Sequence, residues 1–387
     1  MPVLEVLDTG PLTTIQDTGR FGLRAFGVSQ AGPMDQLAFD MANLLVGNAQ
    51  SAAAVEFASN GGRFRFDANT AVAVTGPGVV LSIDGAAMAT NLTLKIDSGQ
   101  VLRIGPVRNG LWGYLAVAGG IDTEPVLGSR ATHLRFGLGG LAGRSLVGGD
   151  RVPVASTDGP PLIRIAERDL PETDETPIRV ILGPQDDYFD PDIIAQFLST
   201  KFRVSTRVDR MASVLDGVPL IAKRGHDIIS DGTIPGVIQV PGSGQPLILM
   251  ADGQTTGGYP KIATIIGADL RRVAQTPPGK NLSFTAVTPE EAEVKMQELR
   301  EHVTEVQAKI TEACDAIATA KAAIVDGSLG KEEGLKQIGE NADIVDSSEA
   351  SVYEKFHSVT KETESEPKAS TEAPTSSSPE NENNDNE

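Results

Sequence analysis

Apolar residues along the first three-quarters of this chain come in short bursts. Runs at 72–74, 92–96, 114–118, 178–182, 237–240, 247–250 and 282–287 are alternating or continuously apolar, and Gly, Pro, Asn and Asp separate them. A period of two, or a short apolar run bounded by turn residues, is the signature of a strand. Residues 1–288 are therefore expected to be mostly β. Three stretches carry helical spacing instead. Between Asp35 and Val46, the residues Leu37, Ala38, Met41, Leu44 and Leu45 share one face. Asp190-Pro191 supplies a cap and a first-turn proline for a helix over 193–198. A short helix is expected over 269–274. The strand pattern lapses at 167–177, where Pro171, Pro177 and a cluster of acids mark a seam. It divides an N-terminal β subdomain (1–170) from a C-terminal one (171–288).

The texture changes at Thr288. Thr288-Pro289-Glu290-Glu291 has the spacing of a capping box, a hydroxyl followed three residues later by Glu. Ala292, Met296, Leu299, Val303, Val306, Ile310, Ala313, Ile317, Ala320 and Ile324 then recur at alternating steps of four and three. That is a heptad seam on a long helix, which Asp326-Gly327 should end. A weaker helical extension is expected to about 345, with Gly330, Gly334 and Gly339 against it. Residues 346–387 are mainly Ser, Thr, Glu, Pro and Asn. They hold too few apolar groups to offset the entropy of ordering, so a disordered acidic tail is expected.

Composition sharpens this picture. Forty-one glycines and 24 prolines with only 4% aromatic residues suit many short strands and turns. The net charge of −19 is uneven: residues 1–288 hold 24 Lys+Arg against 28 Asp+Glu, and residues 289–387 hold 9 against 24. The body is nearly neutral and offers no basic stripe for a nucleic acid. The single cysteine, Cys314, excludes an internal disulfide and fits a reducing compartment. The start of the chain lacks a basic-then-apolar leader, and no run approaches 18 apolar residues. A cytoplasmic location is the expectation.

Several common catalytic signatures are missing. Residues 137–145 are glycine-rich but lack the phosphate-loop spacing, and there is no dinucleotide fingerprint or G-x-S-x-G elbow. His133, His226, His302 and His357 lie too far apart to suggest a metal site; His133 and His226 read as core or surface residues. Val294-Lys295-Met296 has a faint likeness to a biotinylation tripeptide but sits on the heptad helix. The chain therefore shows no nucleotide-activating motif and no carrier lysine of its own.

Two polar, glycine-rich segments remain. The first runs through Gln16, Asp17 and Arg20 to Gly32-Pro33-Met34-Asp35, where a helix begins. Exposed N–H groups at that helix start suit an anion or carbonyl; equally, Asp35 suits a cap that satisfies backbone donors. The second, Asp252-Gly253-Gln254-Thr255-Thr256-Gly257-Gly258-Tyr259-Pro260-Lys261, follows an apolar strand. It gathers an amide, hydroxyls and flexible backbone in the manner of an oxyanion site. Tyr259 and Lys261 suit proton donation, and Lys261 suits a charge clamp. The structural alternative is a long hairpin loop in which Gly257-Gly258 supplies positive φ.

These segments resemble the allophanate hydrolase subunit 2 family, also described as biotin-dependent carboxyltransferase-like and including 5-oxoprolinase C subunits. The matching stretches include Ile15-Gln16-Asp17-Thr18-Gly19-Arg20, Gly32-Pro33-Met34-Asp35, Tyr114-Leu115-Ala116-Val117-Ala118-Gly119-Gly120-Ile121 and Val126-Leu127-Gly128-Ser129-Arg130-Ala131-Thr132. Ile229-Ser230-Asp231-Gly232, Gly236-Val237-Ile238-Gln239-Val240-Pro241 and Gln254 to Lys261 follow in order, so the likeness spans about residues 3–295. It implies a cyclophilin-like β-barrel architecture. It implies a partner like allophanate hydrolase subunit 1 (the 5-oxoprolinase B subunit) and a third partner of the LamB/YcsF type (the 5-oxoprolinase A subunit). The implied reaction is ATP-dependent opening of 5-oxo-L-proline to L-glutamate, with ATP used by the complex and no cofactor assigned to this chain. Related readings are a carboxyltransferase subunit of a biotin-dependent urea carboxylase, or a regulatory protein antagonising a kinase inhibitor. Lys261, Tyr259 and Gln254 become the catalytic candidates. Gln16, Asp17, Arg20, Asp35, Asp231, Gln239, Asp252, Thr255, Thr256, Gly257 and Gly258 become candidate substrate contacts. One departure stands out: many relatives have Arg-Met-Gly-Tyr-Arg-Leu where this chain has Arg210-Met211-Ala212-Ser213-Val214-Leu215. An arginine suited to a carboxylate is thus replaced by Val214.

Overall fold

The computed structural model describes residues 1–155, 159–165 and 176–342. The expected seam at 167–177 and the acidic tail fall largely or wholly outside these residues.

The first half of the chain forms β1 (Val3–Thr9), β2 (Thr14–Gln16), β3 (Ala54–Ala58), β4 (Asn60–Phe66), β5 (Thr70–Thr75), β6 (Val79–Ile83), β7 (Ala86–Met88), β8 (Thr93–Ile96), β9 (Val101–Val107), β10 (Trp112–Val117) and β11 (Arg151–Pro153). They build two sheets, ordered β11-β1-β4-β9-β6-β7 and β2-β3-β10-β5-β8. The two sheets share one apolar core. Alternation decides which side chains enter it: in β4, Phe64 and Phe66 are buried while Arg63 and Arg65 face out and pair with Asp8 and Glu5. Strand β10 is buried at every position, because a sheet covers one side and helix α1 (Gln36–Leu45) lies against it.

The second half forms β12 (Ile178–Leu182), β13 (Phe202–Val208), β14 (Ala212–Asp216), β15 (Asp231–Gly232), β16 (Val237–Gln239), β17 (Leu247–Leu249), β18 (Thr256–Gly257), β19 (Lys261–Ile265), β20 (Asn281–Leu282) and β21 (Phe284–Ala286). Eight of these make one sheet, β20-β13-β14-β17-β16-β19-β12-β21. Its edge strands, β20 and β21, are separated in sequence by Ser283 alone, so the sheet curls into a nearly closed barrel. Phe197, Phe202 and Phe284 cluster in its core, with ring centroids 4.7–6.1 Å apart and the Phe197 and Phe284 rings stacked. Strands β15 and β18 stand apart as a two-residue pair. The mostly β expectation and the barrel are borne out.

The helices follow their sequence signals. Asp35 caps α1 by accepting from the Ala38 N–H at 3.1 Å. Helix α2 (Pro191–Ser199) starts at Asp190-Pro191, although the Asp190 side chain makes no capping bond. Helix α3 (Leu270–Ala274) follows a 3₁₀ turn at Gly267–Asp269. Helix α4 (Pro289–Val325) begins with the full capping box, Thr288 and Glu291 each bonding the other's backbone. Its buried residues, Val306, Ile310, Ala313, Ile317 and Ala320, are heptad positions. The weaker extension is α5 (Lys331–Ala342), which packs on α4. The start of α4 also packs on the body: the Met296 sulfur lies 3.6 Å from where a side chain on Gly267 would begin, and α4 contacts α1 and β12. The helix pair therefore adjoins the body and is not a freely appended arm.

Candidate functional site

The 251–261 segment leaves β17 and returns as β19, and its base is held by a buried charge network. Arg210, 2% exposed, donates to both oxygens of Asp252 at 2.8 and 3.1 Å, to Glu56 and to the Gly32 carbonyl at 2.7 Å. Glu56 also accepts from Tyr114 and from the Met34 N–H. Burial pushes the Glu56 carboxyl up, and the Arg210 charge opposes it. Burial also disfavours the charged Arg210, but Asp252 and Glu56 outweigh it and hold the guanidinium protonated. Beside this network His133 Nε2 lies 2.5 Å from Ser29 Oγ. Burial holds the ring's pKa below its ordinary value.

Beyond Asp252 the loop crosses over the barrel rim. Strand β18 pairs with β15, matching Gly257 to Asp231. The Ile228 N–H donates to the Gly258 carbonyl, and the Thr233 hydroxyl to the Gln254 carbonyl. Arg24 reaches in from the first glycine-rich segment to the carbonyls of Thr233 and Gln254. The register between β16 and β19 then slips: Ile238 faces Ala263, but Gln239 faces Lys261. Ile262 is the extra residue of this bulge. A bulge re-aims the side chains next to it, and here it places Gln239 and Lys261 opposite each other.

Lys261 is 2% exposed, and its ammonium lies 2.5 Å from Asp231, whose side chain is 53% exposed. Asp231 is its one charged partner among the described residues. The hydrogen bond from Lys261, with another from the Gly232 N–H, holds the Asp231 carboxyl below the usual carboxylate range. Gln185 frames the pair. Its side-chain oxygen accepts from the Lys261 N–H at 3.2 Å and its amide nitrogen lies 3.5 Å from Asp231. Gln239 is fully buried, and neither its Oε1 nor its Nε2 has a partner. A side chain added at Gly257 would begin 2.2 Å from Gln239 Nε2 and 3.1 Å from Gln254 Nε2. Glycine at 257 is thus what lets two amides and the loop backbone converge. Thr256 and Gln254 are exposed and Tyr259 is 37% exposed.

The fold therefore gathers Asp231, Gln239, Gln254, Gly257 and Lys261 around β15 and β18, with Thr255, Thr256, Gly258 and Tyr259 on the same loop. The other candidates lie in hydrogen-bond networks away from this cluster. Asp252 anchors the loop through Arg210. Gln16 donates to Thr14 and to the Thr132 carbonyl; Asp17 accepts from Gly19, Ser129 and Arg130; Arg20 donates to the carbonyls of Val126 and Ala131. Asp35 caps α1 and accepts from Gln275 at 2.9 Å. None of these four bonds to Lys261, Asp231, Gln239 or Gln254. Sequence reasoning missed Arg24 and Gln185. Gln185 follows a Gly-Pro turn signal, but only the pairing of β12 with β19 brings it to Lys261. A cavity of about 540 Å³ lies elsewhere, between α4, α1, β12 and the Gly267–Asp269 turn, and none of the candidates lines it.

Residues 26–286 match the model of the carboxyltransferase domain, subdomain A and B. The chain is 39% identical over 290 residues to the C subunit of 5-oxoprolinase from Escherichia coli, a match that covers 75% of this chain and 93% of that protein. It is 31% identical over 313 residues to the urea amidolyase of Lachancea kluyveri, covering 73% of this chain but 17% of the relative. Among solved structures, the Kluyveromyces lactis urea amidolyase superposes with a TM-score of 0.74 at 30% identity, over 79% of this chain and 20% of that one.

Proposed function

Because the chain belongs to the carboxyltransferase-domain family, we propose that it is one component of an ATP-dependent 5-oxoprolinase that opens 5-oxo-L-proline to L-glutamate. The observation that carries this reading is extent. The chain spans nearly the whole of the relatives that bear the name of the 5-oxoprolinase C subunit, and only a small part of the urea enzymes. The site chemistry agrees. Opening a lactam requires a developing oxyanion to be stabilised and the ring nitrogen to be protonated. A buried ammonium with three donors, one engaged by Asp231, suits both tasks. Gln254 and Tyr259 line the exposed side of the same loop.

The chain carries no nucleotide motif, so the ATP chemistry is assigned to a partner resembling allophanate hydrolase subunit 1, with a LamB/YcsF-type protein as the third component. The surface beside the site suits a partner. Phe21 and Phe26 flank Arg24 and are 69% and 80% exposed; Ile229 and Ile234, on the segment that bonds to the loop, are 94% and 54% exposed. Large apolar side chains grouped at one edge mark an interaction surface.

The similarity to urea amidolyase supports a second reading, transfer of a carboxyl group from biotin to urea. One experiment separates the two. The chain is co-purified with its partners and assayed for ATP-dependent glutamate release from 5-oxoproline, and separately for urea-dependent ATP hydrolysis with carboxybiotin formation. Glutamate release by the complex, and none by the chain alone, is expected. Release by the isolated chain would refute the division of labour, and urea carboxylation without glutamate release would establish the second reading.

A further inference from the structure

We infer that Gln239 is the residue that recognises the substrate's amide edge, through a pair of hydrogen bonds to a C=O and an N–H lying side by side. This rests on the lactam reading of the site. Gln239 is fully buried and both atoms of its carboxamide lack partners, which is costly unless something else satisfies them. The position is not a random lapse in packing. The β16–β19 bulge sets Gln239 opposite Lys261, and the Gly257 backbone packs directly against its nitrogen, where a side chain at 257 would begin only 2.2 Å away.

The chemistry of the edge is specific. A carboxamide offers one acceptor and, on the same side, one N–H donor. Its complement is an amide whose C=O and N–H point the same way. A five-membered lactam is locked in that cis arrangement, and urea presents it too. An open-chain secondary amide reaches it only against its strong trans preference. Ring opening to an amino acid destroys the edge, so the product loses both bonds and is released. The cover over Gln239 is thin: β15 and β18 pair over two residues each, with a glycine in each strand, and Asp231, Gly232 and Thr256 are solvent-exposed. The substrate edge takes the place of Gly257 against the carboxamide.

The test compares Gln239→Met, which has similar volume and no polar atoms, with the unaltered full chain, alone and in its complex. Because the carboxamide is unpartnered in the fold, Gln239→Met is expected to melt at or above the parent midpoint while KM for 5-oxoproline rises at least about 10-fold. A lowered midpoint would show that the carboxamide serves the fold and would overturn the inference, as would an unchanged KM. A binding arm is independent of turnover. The protein is labelled with ¹⁵N-glutamine, and the Gln239 side-chain signal is identified by its loss in Gln239→Met. It is then titrated with 2-pyrrolidinone, urea and N-methyl-2-pyrrolidinone. The first two should shift the signal; the third, lacking the N–H, should not. Should the complex fail to turn over 5-oxoproline while 2-pyrrolidinone or urea still shifts the signal, the assigned reaction falls and the recognition role stands. No shift with either, or an equal shift with the N-methyl compound, would overturn it.

Discussion

Lys261 and Asp231 form an unequal pair: the ammonium is buried and the carboxylate half-exposed. The ammonium therefore meets a single charged partner among the described residues, and that partner is itself open to solvent. Lys261→Met should lower turnover by about 10²-fold or more, with a smaller loss for Gln254→Ala and Tyr259→Phe. Measuring turnover and thermal midpoint on the same variant complexes separates chemistry from folding; full activity in all three would move the site to another segment. Asp40 makes a different prediction. Burial pushes its carboxyl up to about 7, with the Gln36 hydrogen bond opposing and Asp35 adding to the rise. The unfolded chain ionises this group near its ordinary value while the folded chain still holds the proton. Stability is therefore lost as pH rises from about 4 through about 7, then levels off. Asp40→Asn should raise the thermal midpoint at pH 8, by up to roughly 2–4 kcal/mol in stability, and give little gain at pH 4. Melting curves at the two pH values check this, and a pH-independent difference would refute it.

Among the elements, α4 shows a sequence pattern realised by packing. Its capping box contributes on the order of 1 kcal/mol, and its heptad positions are the ones that lose solvent. The partner helix α5 keeps Gly334 despite the low helix propensity of glycine. The reason is contact: a side chain there would begin 2.4 Å from Ile324. A rotation of Ile324 would admit alanine, but not leucine. Gly334→Leu should part the two helices, seen as faster amide hydrogen exchange across 331–342, while turnover of the complex stays at the parent level. Unchanged exchange in α5 would show that the helices do not depend on this approach.

For the molecule as a whole, polar bonds tie the first-half sheets to the barrel. Arg210 on the barrel side meets Glu56 of β3, and Gln275 accepts from the backbone N–H groups of Leu111 and Trp112 while donating to Asp35. Removing one partner of such a buried ion network typically costs about 3–5 kcal/mol, so the site loop inherits the rigidity of both halves. The exposed aromatic residues next to it give a prediction at this scale. Phe26→Asp should leave the thermal midpoint of the free chain unchanged and weaken assembly with the proposed partner of the allophanate hydrolase subunit 1 type, read by co-purification and sedimentation. Undiminished assembly would place the partner on another face.

Much of this was legible along the chain because it depends on local periodicity. Alternation placed Phe64 and Phe66 inside β4, a step of three and four found the seam of α4, and Thr288 with Glu291 marked its start. The 251–261 segment announced itself by being polar and glycine-rich after an apolar strand. Function for the first segment was not legible in the same way. Gln16, Asp17, Arg20 and Asp35 have the residue types of a binding site, but types do not reveal which polar atoms are satisfied; in the fold they bond to the 126–132 loop, α1 and Gln275, while Gln16 Oε1 and one Arg20 nitrogen are buried without a hydrogen-bond partner. The cluster around Lys261 could be settled only in three dimensions. Gln185, Asp231, Gln239 and Lys261 come from separate segments, and it takes the pairing of β19 with β12 and β16, a one-residue bulge and the β15–β18 pair to bring them together. Sequence determined which segments become strands and helices, because side-chain period is a local property. Tertiary structure decided which polar groups meet, because strand register and burial are set by long-range pairing.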